Sequence, residues 1–184
     1  MNINMFPTKG NLIAAKNSLA LARQGYDLMD KKRNILVREM MDLVDQASTI
    51  QTEIDTTFRA AYEALQQANI EMGIHMVQDI AKTVPVENTV KIKTRSIMGT
   101  EIPLVRYDAA TRTPVYAFYS TKESLDIARV AFEKVKDLTI KLSMVENAAY
   151  RLAMNIRKTQ KRANALKNIS IPNLEATVKF ITES

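Results

Sequence analysis

The stretch "NLIAAKNSLALARQGYDLMDKKRNILVREM" (residues 11–40) decides the fold, because its apolar and small residues recur at alternating steps of three and four. The spacing continues to Ala68, with polar residues only at Arg33 and Thr57 and weak points at Gly25 and Gly73. Sustained over about eight heptads, it predicts a left-handed coiled coil rather than a globular helix, which averages about 11–12 residues. This first seam comprises Leu12, Ala15, Leu19, Ala22, Tyr26, Met29, Leu36, Met40, Leu43, Ala47, Ile50, Ile54, Ala61, Ala64 and Ala68.

A second seam with the same period begins near Leu125. Beyond Pro172 its apolar positions continue at Leu174, Val178 and Ile181, displaced by one residue. Proline removes a backbone donor and crowds the preceding turn, so we interpret Pro172 as a kink or register shift rather than a helix end. The second seam comprises Leu125, Ala128, Ala131, Val135, Leu138, Leu142, Val145, Ala149, Leu152, Ile156, Thr159, Ala163 and Leu166.

Between the seams the period changes to two. In "NTVKIKTRS" (residues 88–96), Val90, Ile92 and Thr94 alternate with basic residues, which predicts a strand with one exposed face. Gly99 can supply a tight turn, and Pro103 confines the return segment to an edge or irregular strand. A small β-hairpin with a loop, "YDAATRTP" (residues 107–114), is therefore predicted between the helices.

The predicted fold class is mainly α: a long antiparallel two-helix coiled coil with a small inserted β-hairpin. Each helix has only a narrow apolar stripe, so each needs the other for burial. The expected parts of this one structural unit are an N-terminal helix over 8–82, a hairpin insertion over 84–119 and a C-terminal helix over 121–184.

An antiparallel pair brings two basic stretches to one level. Lys31, Lys32 and Arg33 are expected to lie beside residues 164–166, within a second run of cations. Concentrated like charge costs stability unless a partner compensates it, so we expect an acidic or dipolar surface around this basic collar. Its other cations are Arg157, Lys158, Lys161, Arg162 and Lys167.

Composition narrows the function classes. The 184 residues contain no cysteine and carry a net charge of +6, which fits a reducing compartment and an acidic partner. Nucleic acid, lipid headgroups or an acidic protein face would each satisfy that charge. The start, "MNINMFPTKG", lacks an apolar signal core, and no run reaches the roughly 18–20 apolar residues of a membrane span, so a cytoplasmic location with only an indirect membrane link is expected.

Catalytic chemistry is not indicated. The sole histidine, His75, is interpreted as a polar surface or helix-end residue, and four glycines cannot build a phosphate-binding loop. Acid pairs such as Asp42 with Asp45 belong on solvated faces. We therefore predict no catalytic, cofactor-binding or metal-binding residues. The aromatic residues are not interleaved with the cations, and nucleic acid is not expected as a partner.

Three aromatic residues lie where the hairpin returns to the second helix: Tyr116, Phe118 and Tyr119. They are interpreted either as packing the insertion onto the helices or as docking a partner.

Four segments resemble one family, the D subunit of the V-type and archaeal-type rotary ATPases. Pro7 to Leu36 is similar to its first helix, which opens Pro-Thr-Lys and continues to a pair of basic residues. "RSIMGTEIPLV" (95–105) resembles its hairpin, and "YAFYSTKESLDIARVAF" (116–132) resembles the entry to its second helix. "KTQKRANALKNISIPNLE" (158–175) resembles its Lys-Thr-x-x-Arg-x-Asn-Ala-Leu…Ile-Pro-x-Leu-Glu segment. Asn155, Arg157 and Lys167 stand where the family commonly has acids, which makes the collar more basic.

The resemblance implies a non-catalytic central stalk, a rotor that couples ATP hydrolysis or synthesis to ion translocation as a peripheral part of the membrane complex. The implied partners are a ring of A and B subunits, the small F subunit of the stalk and a funnel-like subunit (C or d) that links the stalk to the membrane ring. A coiled-coil scaffold or adaptor without a rotary role is the alternative. The residues expected at partner interfaces are Lys31, Lys32, Arg33, Arg157, Lys158, Lys161, Arg162, Asn164, Lys167, Ile97, Met98, Tyr116 and Phe118.

Overall fold

The computed structural model describes residues 6–86, 88–106, 114 and 116–184. Long helices dominate, and one two-stranded hairpin interrupts them. In chain order the elements are α1 (Lys9–Met72), α2 (Ile74–Thr83), β1 (Lys91–Ile97), β2 (Thr100–Arg106), a short 3-10 turn (Phe118–Ser120), α3 (Glu123–Ala165), a π-helical segment (Leu166–Ser170) and α4 (Ile171–Glu183).

The chain divides into two compact units, and both long helices contribute to each. The first unit joins the residues up to Met40 with Met98–Thr100 and Arg151–Ser184. The second unit joins Met41–Ile97 with Glu101–Tyr150.

In the first unit, the early part of α1 runs antiparallel to the end of the chain. Arg23 forms a salt bridge with Glu175 at 2.7 Å, and Arg33 donates a hydrogen bond to Gln160 at 2.9 Å. As the residue number rises on α1, the number of its partner falls. The level predicted for Arg33, residues 164–166, is therefore wrong by about one helical turn, because α1 sits further along α3 than equal arm lengths suggested.

The second unit shows the same antiparallel order. Ser124 donates to the Glu71 carboxylate at 2.7 Å, and the Tyr62 ring meets Phe132 edge-on with centroids 5.5 Å apart. Hydrogen bonds from Gln67 and Ser124 lower the pKa of Glu71. Ala68, Val77 and Leu125 form a buried cluster where α1, α2 and α3 meet.

Burial confirms both predicted seams, because every seam residue is buried or half-buried. Leu36 and Leu152 are the largest fully buried side chains, each with no exposed surface. The predicted fold class, a mainly α antiparallel coiled coil with an inserted hairpin, is confirmed.

The first helix does not run unbroken over 8–82 as expected. Thr8 caps its start by accepting a hydrogen bond from the Asn11 amide at 3.3 Å, and α1 ends at Met72. Gly73 then has φ 84° and ψ 142°, a backbone region that essentially only glycine occupies. The glycine therefore divides the predicted helix into α1 and α2.

Pro172 marks a register shift, as predicted, and the helix continues through it. The π-helical segment precedes the proline, and the Ile171 amide donates to the Leu166 carbonyl, five residues back. A π turn accommodates one extra residue, which shifts the buried face by one position. Leu174, Val178 and Ile181 accordingly remain half-buried or buried.

The predicted hairpin is present, with β1 and β2 paired around a two-residue turn. Met98 and Gly99 both have positive φ, 49° and 77°, as a type I′ turn requires. Pro103 lies in β2, which is an edge strand because the sheet has two strands. The predicted loop 107–114 lies outside the described residues apart from Pro114.

The predicted one-sided burial of β1 is wrong, because Lys91–Ser96 are all exposed. Only β2 carries buried side chains, among them Ile102, and the Val105 amide donates to the Met144 sulfur at 3.4 Å. The packed face of the hairpin comes from β2. The alternation of apolar and basic residues in β1 therefore indicates a strand correctly, but its apolar residues are not buried. Within the described residues, none of the helices has the length and apolarity needed to cross a membrane.

Candidate functional site

The first unit carries most of the positive charge of the chain. It contains 14 Lys and Arg residues against 5 Asp and Glu residues, a net charge of +9, whereas the second unit has 12 against 15, a net charge of −3. The overall charge of +6 therefore hides two surfaces of opposite sign. A surface this cationic favours an acidic partner.

The basic collar lies wholly within the first unit. Lys31, Arg157, Lys158, Lys161, Arg162 and Lys167 are exposed. Of the eight cations, only Arg33 forms an ion pair with a described residue, Asp30, at 2.7 Å. Lys167 instead places its ammonium 5.8 Å from the centre of the Tyr26 ring. The remaining cations are thus available to a partner.

Arg33 differs from the other collar residues, because it faces the helix pair. Besides Asp30, its guanidinium contacts Gln160, which in turn donates to Asn164 at 2.7 Å. This chain of polar contacts ties α1 to α3 inside the collar. A polar residue at a seam position fixes the register of a coiled coil at a cost in stability, so we assign Arg33 to alignment of the helices.

The hairpin turn is fastened beside the collar. The Asn155 side-chain amide donates to the Thr100 hydroxyl, and the Thr159 hydroxyl donates to the Asn155 carbonyl oxygen at 3.4 Å. Thr100 and Thr159 are both buried. A β-carbon added to Gly99 would lie 4.0 Å from the Lys32 ammonium. The turn therefore lies next to Lys32 of the collar at Gly99, and the neighbouring Met98 is exposed.

Replacing Asn155 by alanine is expected to lower the free energy of unfolding by about 1–2 kcal/mol, because two buried hydroxyls lose a partner. Amide hydrogen exchange at the hairpin turn should also become faster. Chemical denaturation and hydrogen exchange measure the two effects. Asn168→Ala, at an exposed position, is the matched control and should change neither. Equal behaviour of the two variants would show that Asn155 does not hold the turn.

The remaining predicted site residues belong to the second unit and are not part of the collar. Ile97 is half-buried at the end of β1. Tyr116 is also half-buried, and its hydroxyl donates to the Asp126 carboxylate; burial and then this hydrogen bond raise its pKa. Phe118 and Tyr119 are exposed. Tyr116 therefore packs the chain entering α3, and its ring meets the Phe118 ring edge-on with centroids 6.2 Å apart. The rest of the Phe118 ring and the whole of Tyr119 are exposed.

Sequence reasoning missed an apolar stripe on the outer face of α1 in the first unit. Leu21, Leu28 and Ile35 follow one another at steps of seven, and they are 67%, 64% and 41% exposed. Residues seven apart lie on the same side of a coiled-coil helix. The heptad repeat of these three positions was the available signal, but the stronger seam beside it obscured the stripe.

Comparison with known proteins identifies relatives over nearly the whole chain. The family model for the ATP synthase D subunit matches residues 11–184. The V-type ATP synthase D subunit of Thermotoga neapolitana is 41% identical over 182 residues, covering 99% of this chain and 90% of the relative. The A-type ATP synthase D subunits of Thermococcus kodakarensis and Thermococcus gammatolerans are 36% and 37% identical over 184 residues, each covering 98% of this chain and 86% of the relative.

Proposed function

Because the chain belongs to the D-subunit family of V-type and A-type ATP synthases, we propose that it is the central rotor of such an enzyme. It couples ATP hydrolysis or synthesis in a ring of A and B subunits to ion translocation. The chain is a non-catalytic subunit, and the ATP chemistry resides in its partners. Family membership does not favour the alternative of a scaffold without a rotary role.

The concentration of charge in the first unit is the observation that carries the proposal. A net charge of +9 on one helix pair, with a single collar cation ion-paired among the described residues, destabilises the isolated chain through like-charge repulsion. An acidic or dipolar surface around the collar would offset that repulsion. We propose that the A/B ring supplies this surface.

Rotation requires different contacts around the rotor axis. In the first unit, the outer face of α1 carries the apolar stripe, whereas the outer face of α3 carries Arg157, Lys158, Lys161 and Arg162. Each A/B pair therefore meets a different chemistry at a given rotor angle, which biases its nucleotide state. Turning the rotor exchanges these biases, and this is allosteric coupling through differential contact.

The collar suits contacts that must release at every step. Long, mobile Lys and Arg side chains at an exposed surface contribute little each, typically about 0–1 kcal/mol. Asn164 and Ala165 are exposed between these cations, and their side chains are small. Such a surface binds through many weak contacts, so no single contact locks the rotor in place.

The rotor assignment also leads us to propose two further partners. The exposed Phe118 and the hairpin residues Ile97 and Met98 are proposed to contact the remaining stalk subunits, the small F subunit and the funnel-like subunit. The rotor would then lie on the cytoplasmic side, attached to the membrane ring only through the funnel-like subunit.

Reconstitution tests the proposed function. The purified chain alone is expected to hydrolyse no ATP, and its addition to a purified A/B ring should change the ATP turnover of the ring. Turnover is measured in a coupled ATPase assay, with an unrelated antiparallel coiled-coil protein of similar charge as control. If the chain neither binds the ring nor alters its turnover, the rotor assignment is wrong.

A further inference from the structure

Two weak points of the first unit lie at the same level, one on each helix. Gly25 lies within α1, and the π-helical segment separates α3 from α4. A β-carbon added to Gly25 would lie 3.7 Å from Cδ1 of Leu166, the first residue of the π-helical segment. At the following residue of each helix, the Lys167 ammonium lies 5.8 Å from the centre of the Tyr26 ring. The two helices are therefore weakened opposite each other.

Packing does not require a glycine at position 25. The contact that a β-carbon would make with Leu166, at 3.7 Å, is an ordinary van der Waals contact, so an alanine side chain fits there. Glycine regains more backbone freedom than alanine when a helix opens. Local opening is therefore about fivefold more favourable with glycine, which corresponds to about 1 kcal/mol. Gly25 weakens α1 without improving its packing.

The hydrogen bonds of the opposite helix are irregular at this level. The Ile171 amide donates to the Leu166 carbonyl, five residues back instead of four. Pro172 follows directly, and proline has no amide hydrogen to donate. Two successive residues therefore lack the regular helical hydrogen bond. Prolines and π turns are the usual positions at which a helix bends.

The buried seam is also interrupted around these two weak points. Between the buried residues Ala15 and Leu36 of α1, every side chain that the structure describes is half-buried or exposed. The same holds for all described side chains between the buried residues Ala163 and Ile181 of the opposite helix. Regions with few buried contacts open more easily than the rest of a fold. The first unit therefore resists bending least in this stretch.

The polar contact that crosses this stretch is weak. Arg23 and Glu175 form a salt bridge at 2.7 Å, but their side chains are 60% and 48% exposed. An ion pair this exposed is screened by water and contributes little to stability. It can break and form again as the two helices move, so it does not hold them rigid.

We propose that Gly25 and the π-helical segment together form a flexible joint in the first unit. The joint separates a terminal segment, which consists of residues 9–24 and α4, from the basic collar. The terminal segment bends relative to the collar while the two helices stay paired. In the rotor, the terminal segment can then adjust to the A/B ring independently of the collar at each angle. This role rests on the proposed function, whereas the joint itself is a property of the chain.

Amide hydrogen exchange of the full chain tests whether the joint exists. Protection should be lowest around Gly25 and in the π-helical segment, and it should rise again on both sides, towards the buried residues Ala15 and Leu36. Gly25→Ala should slow exchange at the joint about fivefold, because alanine favours the helix. Gly10→Ala makes the same change near the start of α1, where no other group lies within 4 Å, and should leave the joint unchanged.

Two results of this measurement would overturn the proposal. Protection that falls steadily towards both chain ends would indicate simple fraying instead of a joint. Equal effects of the two glycine substitutions on exchange at the joint would show that Gly25 does not determine its flexibility.

ATP turnover tests the role of the joint in the rotor. The double variant Gly25→Ala and Pro172→Ala should unfold at a higher urea concentration than the original chain. It should bind the A/B ring with unchanged affinity, because neither residue belongs to the collar. Ring turnover should fall about threefold, because conformational steps limit turnover in many enzymes. Gly10→Ala should alter none of these quantities.

Unchanged turnover in the double variant would show that the joint has no role in rotation, and this part of the proposal would be wrong. A failure of the original chain to bind the ring would instead contradict the rotor assignment. Hydrogen exchange of the chain alone would still decide whether the joint exists, so the two failures are distinguishable.

Discussion

Replacing Leu152 or Leu36 by alanine is expected to lower the free energy of unfolding by about 3 kcal/mol, because a buried Leu→Ala change removes apolar contacts and leaves a cavity. Both side chains have no exposed surface. They belong to opposite seams of the first unit, and a two-helix pair has few other layers to compensate. Urea denaturation followed by the helical circular dichroism signal measures the loss.

The apolar stripe supplies a matched control for this prediction. Leu21→Ala and Leu28→Ala make the same chemical change at positions that are 67% and 64% exposed, so the free energy of unfolding should fall by less than about 1 kcal/mol. Equal losses at all four leucines would mean that the seams do not form the core of the first unit.

Reversing two charges of the collar, in the double variant Lys161→Glu and Arg162→Glu, is expected to weaken binding to the A/B ring about 100-fold, or roughly 2.7 kcal/mol. Both side chains are exposed, and neither forms an ion pair with a described residue. The variant should therefore fold normally, while the charge that these two positions present to the partner changes by four units, from +2 to −2. Pull-down titration at several salt concentrations measures the change, which should shrink as salt screens it.

The matched control changes the same charge at a distant place. The double variant Lys91→Glu and Lys93→Glu alters two exposed residues of β1 in the second unit. Its affinity for the A/B ring should stay within about threefold of the original, because these lysines lie outside the collar proposed to contact the ring. If the collar variant bound the ring with unchanged affinity, or if both double variants weakened binding equally, the collar would not be the ring interface.

The coiled coil could be predicted because its signal is periodic and repeated. Each turn of both seams adds one more residue at the same spacing, so a single exception such as Arg33 does not hide the pattern. The displaced positions after Pro172 also predicted the register shift correctly, although sequence could not show that a π-helical segment absorbs the extra residue.

The features that could not be predicted depend on which side of a helix or strand packs against the rest of the protein. Alternation in β1 could not reveal that β2 alone supplies the packed face. The axial offset that pairs Arg33 with Gln160 depends on the packing of many small layers, and equal arm lengths were too coarse a guide. In the candidate site, the cations of the collar could be predicted from the sequence. The apolar stripe could be recognised only from the exposure of its side chains in the structure.

The π-helical segment has a consequence for how this family can vary in length. One residue more or fewer normally turns everything that follows by about 100° around a helix, which would bury the wrong side chains. Here the π-helical segment accommodates the extra residue within one turn. Pro172 lies on the exposed side of the helix, where the loss of its amide hydrogen bond costs little stability. Single-residue insertions and deletions among homologues should therefore cluster at residues 166–170, while the rest of the terminal helix keeps its alignment.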